Sequence, residues 1–314
     1  MPGLYVGEAG VGAALLRAGQ VLADPEMIEE AARISDSVAE LETRSPDLMN
    51  GWAGVLRFHL LVHEETGDPR HLAHAKAAGR ALLSSAESPT PATACWRIPE
   101  GYGELGGKIH CGYAHGAAGI ADSLIDLFIA SGEDRFADAA SAAARWLMDR
   151  AHPALPDDQG REWPSITEGS AGVWCHGAAG IGRFFLNMVR AGLLHDAQWA
   201  RAAASMVSQG ARWLGPSYCH GLAGSVDFLL DMYQDTRDPE FRRQATIEIR
   251  LLNAFKINGD SGIRWQGDTT GCVTPDYMVG YGGVLVTMLR YALADSAPSQ
   301  LTVEGFRLGT STTA

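Results

Sequence analysis

The sequence predicts an all-α chain, a series of helical hairpins closed into an α/α toroid with an inner and an outer ring of helices. Three observations carry this expectation. A Gly-x-x-Gly element followed by an apolar helical stretch recurs six times along the 314 residues. The helices that open on it are apolar on most sides, whereas the helices after them carry charge. No convincing alternation of apolar and polar residues appears at strand length.

The six copies follow in order. "VGEAGVGAALL" holds Gly7 and Gly10, "NGWAGVLRFHLL" Gly51 and Gly54, and "HGAAGIADSLIDLF" Gly116 and Gly119. Then come "HGAAGIGRFFLNM" with Gly177 and Gly180, "HGLAGSVDFLLDM" with Gly221 and Gly224, and "VGYGGVLVTML" with Gly280 and Gly283. In the third copy Ile120, Leu124, Leu127 and Phe128 share one helical face. Its Ala-rich follower repeats the period in Phe136, Ala140, Ala143 and Leu147, after the turn signal "SGEDR". "TGDPR" plays the same part in the second unit. A linear solenoid would also stack such pairs. Loops of 15 to 20 residues before units three, four and six are long for plain connectors and would cover one mouth of a ring. The toroid is expected over residues 1–295, with a tail at 296–314.

Composition narrows the function. Net charge is −12, and Lys occurs only at 76, 108 and 256. That balance speaks against nucleic acid, whose affinity rests on cationic neutralisation of phosphate, and against anionic membrane surfaces. There is no apolar run of membrane length and no signal-peptide pattern at the N-terminus. Cys95, Cys111, Cys175, Cys219 and Cys272 make an odd, sparse set, which fits a reducing cytoplasm better than a disulfide framework.

Aligning the copies exposes the chemistry. The residue before each first Gly is Val6, Asn50, His115, His176, His220 and Val279; one position earlier stand Tyr5, Met49, Ala114, Cys175, Cys219 and Met278. Ligand-type side chains occur only in three consecutive units, so they serve no need common to all six. The glycines allow tight backbone approach and φ > 0 where a loop enters a helix. Their predecessors therefore sit at helix N-termini, where equivalent units bring them together. Cys175, Cys219 and His220 make a zinc site with an open fourth position, the form expected of catalytic zinc. Soft sulfur donors disfavour Mg²⁺ and Ca²⁺. Buried core residues, or a disulfide between the two Cys, are the alternatives. Trp174, Tyr218 and Tyr277 are expected to pack or to line the cavity, and Asp122, Asp227 and Asp231 to bond within the helices.

At these residues the chain resembles the lanthionine synthetase C-like cyclases, over roughly residues 3 to 295. "YAHGAAGI", "VWCHGAAGI" and "SYCHGLAG" are similar to three motifs of that family, in the same order. The resemblance implies zinc on Cys175, Cys219 and His220, an active-site His at His115 and an acid linked to catalysis at Asp47. It implies seven hairpins where six are visible. It also implies a dehydrated precursor peptide with a leader as substrate, and a fused or partner kinase/lyase dehydratase. Some members carry an Arg four residues before the first zinc Cys. Here that position is Ala171, so Arg183 and Lys108 enter as substitutes for polarising the substrate carbonyl. His176 and Trp174 join them as substrate-side residues.

The implied reaction adds a peptide Cys thiol to dehydroalanine or dehydrobutyrine in the same peptide, closing a thioether ring. Zinc would supply the thiolate and His115, assisted by Asp47, the proton transfer. Other readings are a zinc hydrolase, though there is no His-Glu-x-x-His, and a zinc-thiolate transferase of another toroid family, though no basic cluster adjoins the Cys-His motifs. A peptide-binding toroid that keeps zinc only for stability is the non-catalytic rival.

Overall fold

The structure, a computed structural model, describes residues 1–154, 160–165, 172–209, 215–260, 262–269 and 271–293. Six helices start directly after the first Gly of a pair: α1 (Glu8–Leu22), α3 (Trp52–Thr66), α5 (Ala117–Ser131), α7 (Ala178–Arg190), α9 (Leu222–Thr236) and α11 (Tyr281–Ala292). Five followers complete the described hairpins: α2 (Pro25–Ala39), α4 (Pro69–Ser84), α6 (Asp134–Met148), α8 (Gln198–Gln209) and α10 (Pro239–Ala254). The chain divides into two compact units, Met1–Asp149 with Arg190–Leu193, and Arg150–Val189 with Leu194–Ser299. The expected tail at 296–314 and Ala171 lie outside the described residues.

The followers start where Asp-Pro dictates. Asp24, Asp68 and Asp238 each accept a backbone N–H of the first turn, and each is followed by Pro at the first helical position. Their apolar residues fall on one side, as in α6, which buries Phe136, Ala140, Ala143 and Leu147. By contrast α3, α5, α7 and α9 are buried on nearly every side. α1 and α11 are less enclosed: there Val11, Val21, Leu285 and Leu289 are exposed.

The Gly pairs work by close approach and not by left-handed backbone. As N-caps, Gly51, Gly116 and Gly221 are extended, with φ of −126°, −132° and −133°. A Cβ on the second Gly would meet the carbonyl of the residue six positions earlier: Tyr113 for Gly119, Tyr218 for Gly224. On Gly224 it would also lie 2.8 Å from the Trp174 Cβ. The glycines thus let each loop lie flat on the first turn of its own helix.

The same flattening ties neighbouring loops together. In the first unit Tyr5 N–H donates to the Met49 carbonyl at 3.3 Å and Leu48 N–H to the Ala114 carbonyl at 3.2 Å. In the second, Cys175 N–H donates to the Cys219 carbonyl at 3.3 Å and Cys219 N–H to the Met278 carbonyl at 2.8 Å. Equivalent or adjacent positions of neighbouring repeats are therefore joined backbone to backbone within each unit.

Inside each unit an ion network crosses the helices. Arg57 of α3 binds Asp122 at 2.7 Å and Asp126 at 2.8 Å on α5, and donates to the Tyr113 hydroxyl at 3.0 Å. In the second unit Arg183 of α7 and Arg290 of α11 meet Asp227 and Asp231 of α9, and the Tyr218 hydroxyl donates to Asp227 at 2.6 Å. Charges this deep persist because they are paired and hydrogen-bonded.

Strands are present despite the sequence expectation, among the described residues as three short antiparallel hairpins. They are β1 (Ala86–Glu87) with β2 (Cys95–Trp96), β3 (His152–Pro153) with β4 (Arg161–Glu162), and β5 (Lys256–Gly259) with β6 (Gly262–Trp265). Two to four residues per strand are too few to set up a visible alternation. Trp96 and Trp265 anchor two of them, each indole donating to a carbonyl near the end of the preceding helix, Leu82 at 2.8 Å and Leu252 at 2.7 Å.

Candidate functional site

The loops entering α7 and α9 carry the Cys-His pairs, and the backbone bond from Cys175 to Cys219 sets their side chains together. Cys175, His176 and His220 offer donor atoms that all lie within 4.8 Å of one another. Cys219 Sγ is 3.7 Å from His220 Nε2, and its thiol is hydrogen-bonded with that of Cys175. Both Cys are buried, while His220 is half exposed, so the cluster is dry on its sulfur side and open on its imidazole side. All five Cys are free thiols, which disposes of a Cys175–Cys219 disulfide. His176, expected on the substrate side, belongs to this cluster as a fourth potential donor.

A residue the sequence did not reveal completes the group. Asp268, in the loop between β6 and α11, accepts from His220 Nδ1 at 2.5 Å. This is the carboxylate–imidazole arrangement that fixes a metal-binding His with Nε2 presented to the ion. Nothing in "QGDTTG" marks Asp268 as functional; only the meeting of two loops does.

The charge states test whether zinc suits these residues. The Cys219 thiol is lowered to about 6, first by the hydrogen bond from Cys175 and then by His220. Burial pushes the Cys175 thiol well above its ordinary value. His220 is raised to about 10, chiefly by Asp268 and then by Cys219. The cluster therefore holds an imidazolium against a thiolate at neutral pH. It is a place that requires positive charge among soft donors, and a dication can replace the protons on His220 Nε2 and Cys175. The donor set fits zinc.

The first unit carries the second element. Asp47, fully buried, accepts from His115 Nδ1 at 2.5 Å. Its carboxylate is held from behind by Asn50, through the backbone N–H at 2.9 Å and the side-chain amide at 3.0 Å. Asn50 occupies the repeat position filled by His115, His176 and His220 in later units, so the alignment pointed to it without showing its use. His110 binds the Leu105 carbonyl at 3.1 Å and is lowered by burial, as a loop imidazole.

The remaining substrate-side expectations meet the structure differently. Arg183 is 1% exposed, and its Nη1 lies on Asp227 and Asp231. Trp174 is fully buried, edge-on to Tyr218 at 5.6 Å. Both are placed in the interior of the second unit and not against solvent. Lys108 is exposed, in the loop before α5.

The profile of lanthionine synthetase C-like proteins matches residues 2–302, and the chain belongs to that family. Among solved structures it is similar to nisin cyclase, at 15% identity and a TM-score of 0.63, over 99% of this chain and 80% of that one. It is also similar to a sugar epimerase from a ruminal bacterium, at 13% identity and a TM-score of 0.58, over 91% of this chain and 86% of that one. A GH76 alpha-mannanase from Bacteroides thetaiotaomicron matches at 13% identity and a TM-score of 0.51, over 92% of this chain and 85% of that one. At such identities the likeness gives the fold, the α/α toroid, and not the chemistry. No helix among the described residues is long and apolar enough to cross a membrane.

Proposed function

We propose that the chain is a zinc-dependent cyclase that forms lanthionine thioether rings in a dehydrated precursor peptide. The observation that carries this reading is the meeting of Cys175, Cys219 and His220, with Asp268 behind the imidazole. Family membership and the likeness to nisin cyclase support it at the level of the class.

Cys175, Cys219 and His220 would hold the ion, with His176 at its side. Bound there, zinc would keep the substrate thiol ionised at neutral pH. In the reaction the Cys S–H bond is broken, a carbon–sulfur bond forms at the β-carbon of dehydroalanine or dehydrobutyrine, and the carbon–carbon double bond is lost. The α-carbon takes up one proton, so the peptide's mass does not change. His115 manages that proton. With Nδ1 engaged by Asp47, the ring is held in one orientation and Nε2 is the exchanging atom. Asn50 keeps the Asp47 carboxylate aligned. The Cys ligands need a reducing compartment, so we place the protein in the cytoplasm, with a kinase/lyase dehydratase supplying its substrate.

The test is direct. A peptide containing dehydroalanine and Cys is incubated with the zinc-loaded chain, and free thiols are titrated alongside mass spectrometry. Thiols should disappear at constant mass. Cys175→Ala should lose both the thiolate-bound metal and the activity, and His115→Ala should keep the metal and lose ring closure. A wild-type chain that binds metal and peptide without consuming thiols would overturn the catalytic reading in favour of a binding toroid.

A further inference from the structure

A second group of metal-binding side chains lies in the first unit, built from residues the cyclase reading does not use. Asp36 comes from α2, and His71 and His74 come from one face of α4. Their donor atoms all lie within 4.8 Å of one another. Asp36 Oδ1 is 3.2 Å from His74 Nε2 and 3.8 Å from His71 Nδ1. A tetrahedral ion bonded at the usual zinc–nitrogen and zinc–oxygen lengths separates its ligands by about 3.4 Å. We propose that Asp36, His71 and His74 form a second divalent transition-metal site, of the two-imidazole, one-carboxylate kind, with its remaining position open to water.

The surroundings favour an ion over a plain ion pair. His71 is 1% exposed, and a third imidazole, His59 of α3, has its ring centroid 5.3 Å from that of His74. Three imidazoles are thus gathered here, two of them beside the Asp36 carboxylate. Ser35 Oγ lies 2.8 Å from His59 Nδ1 and 2.9 Å from His71 Nδ1. A hydroxyl has a single proton to donate, so when His71 Nδ1 turns to a metal, Ser35 still donates to His59. Arg70 binds the other oxygen of Asp36, Oδ2, at 3.1 Å, and leaves Oδ1 facing the imidazoles. Nitrogen and oxygen donors without sulfur select Zn²⁺, Ni²⁺ or Cu²⁺ over Mg²⁺ and Ca²⁺. Ligation here would clip α2 to α4.

The two sites separate by spectroscopy. Tag-free, metal-stripped chain is titrated with Co²⁺ and with Zn²⁺, following absorption and bound metal. The wild type should take two equivalents of either ion, of which one Co²⁺ shows thiolate-to-metal charge transfer. Cys175→Ala with Cys219→Ala should abolish charge transfer and keep one equivalent. His74→Ala and Asp36→Asn, both at partly exposed positions, should keep the charge-transfer band and lose the other equivalent, with affinity at that site down tenfold or more. Arg70→Gln should tighten the same site. The proposal is overturned if His74→Ala and Asp36→Asn bind as many ions as wild type with unchanged far-UV circular dichroism. It is equally overturned if the Cys double variant, folded by the same measure, binds none. Neither result depends on ring closure, so the site stands or falls apart from the cyclase reading.

Discussion

Asp268 shows how much one carboxylate decides. It raises His220 and fixes which ring nitrogen faces Cys219. Removing such a partner behind a metal-binding His weakens metal binding by about 10–100-fold. Asp268→Ala should therefore bind zinc that much more weakly in competition with a chromogenic chelator, with its helical signal intact. Retained affinity would mean that Asp268 does not orient the ligand. His59 makes a separate residue-scale prediction. Its folded value of about 3 lies below the ordinary 6.5, so the unfolded chain takes up the proton first as pH falls. Its contribution to stability is full above pH 6.5 and declines progressively toward pH 3. Urea unfolding of the metal-stripped chain should show stability falling from pH 7 to 5, above the carboxylate range. The slope should approach ~1.4 kcal/mol per pH unit for one such group. His59→Gln should flatten that slope.

Among the elements, the hairpin turns differ in how well their residues suit the conformation. Gly67 and Gly132 end α3 and α5 in the left-handed region, at φ of 68° each. Ala23 ends α1 in the same region, at φ 53°, with its N–H on the Gly19 carbonyl. A side chain there is unfavourable by about 1–2 kcal/mol, part of which Gly recovers against its own entropy. Ala23→Gly should stabilise the chain by ~0.5–1 kcal/mol, read as an upward shift of the urea midpoint at unchanged slope. In these same turns Asp24 and Asp68, each followed by Pro, start the next helix, while the Gly pairs stand at the other end of each hairpin; the Gly pairs and the turn "TGDPR" were plain in the sequence. Their signals are local and depend on a few consecutive residues. The β-hairpins were not plain, because what defines them is the pairing of short segments such as Glu87 with Cys95. The Trp indoles that hold two of them look like ordinary core residues until their carbonyl partners are seen.

For the whole molecule, the buried Arg–Asp networks are the features most sensitive to a single change. Arg57→Met leaves Asp122 and Asp126 without their cation in the interior of the first unit. Breaking one side of such a pair costs about 3–5 kcal/mol. The variant should unfold at markedly lower urea, and adding Asp122→Asn with Asp126→Asn should return part of the loss. If Arg57→Met alone is neutral, the network does not carry stability. The shared fold with a sugar epimerase and a mannanase makes a complementary point. The helical scaffold is compatible with unrelated chemistries, and what distinguishes this chain is the content of the loops entering α5, α7 and α9.

By itself the sequence determined the hairpin repeat, the helix starts and the identity of Cys175, Cys219, His220, His115 and Asp47 as the residues of interest. The repeat, the helix starts and the Cys and His positions follow from local periodicity and from equivalent places in a repeat, whereas Asp47 and the active-site role of His115 came from the family resemblance. Only the tertiary structure decided that Asp268 stands behind His220 and that Asn50 holds Asp47. It also showed Arg183 and Trp174 buried within the second unit and gathered Asp36, His71 and His74 at one place. Those outcomes rest on side chains from different elements reaching one another, at distances set by how loops lie on helices and helices on helices. A linear pattern does not encode such distances.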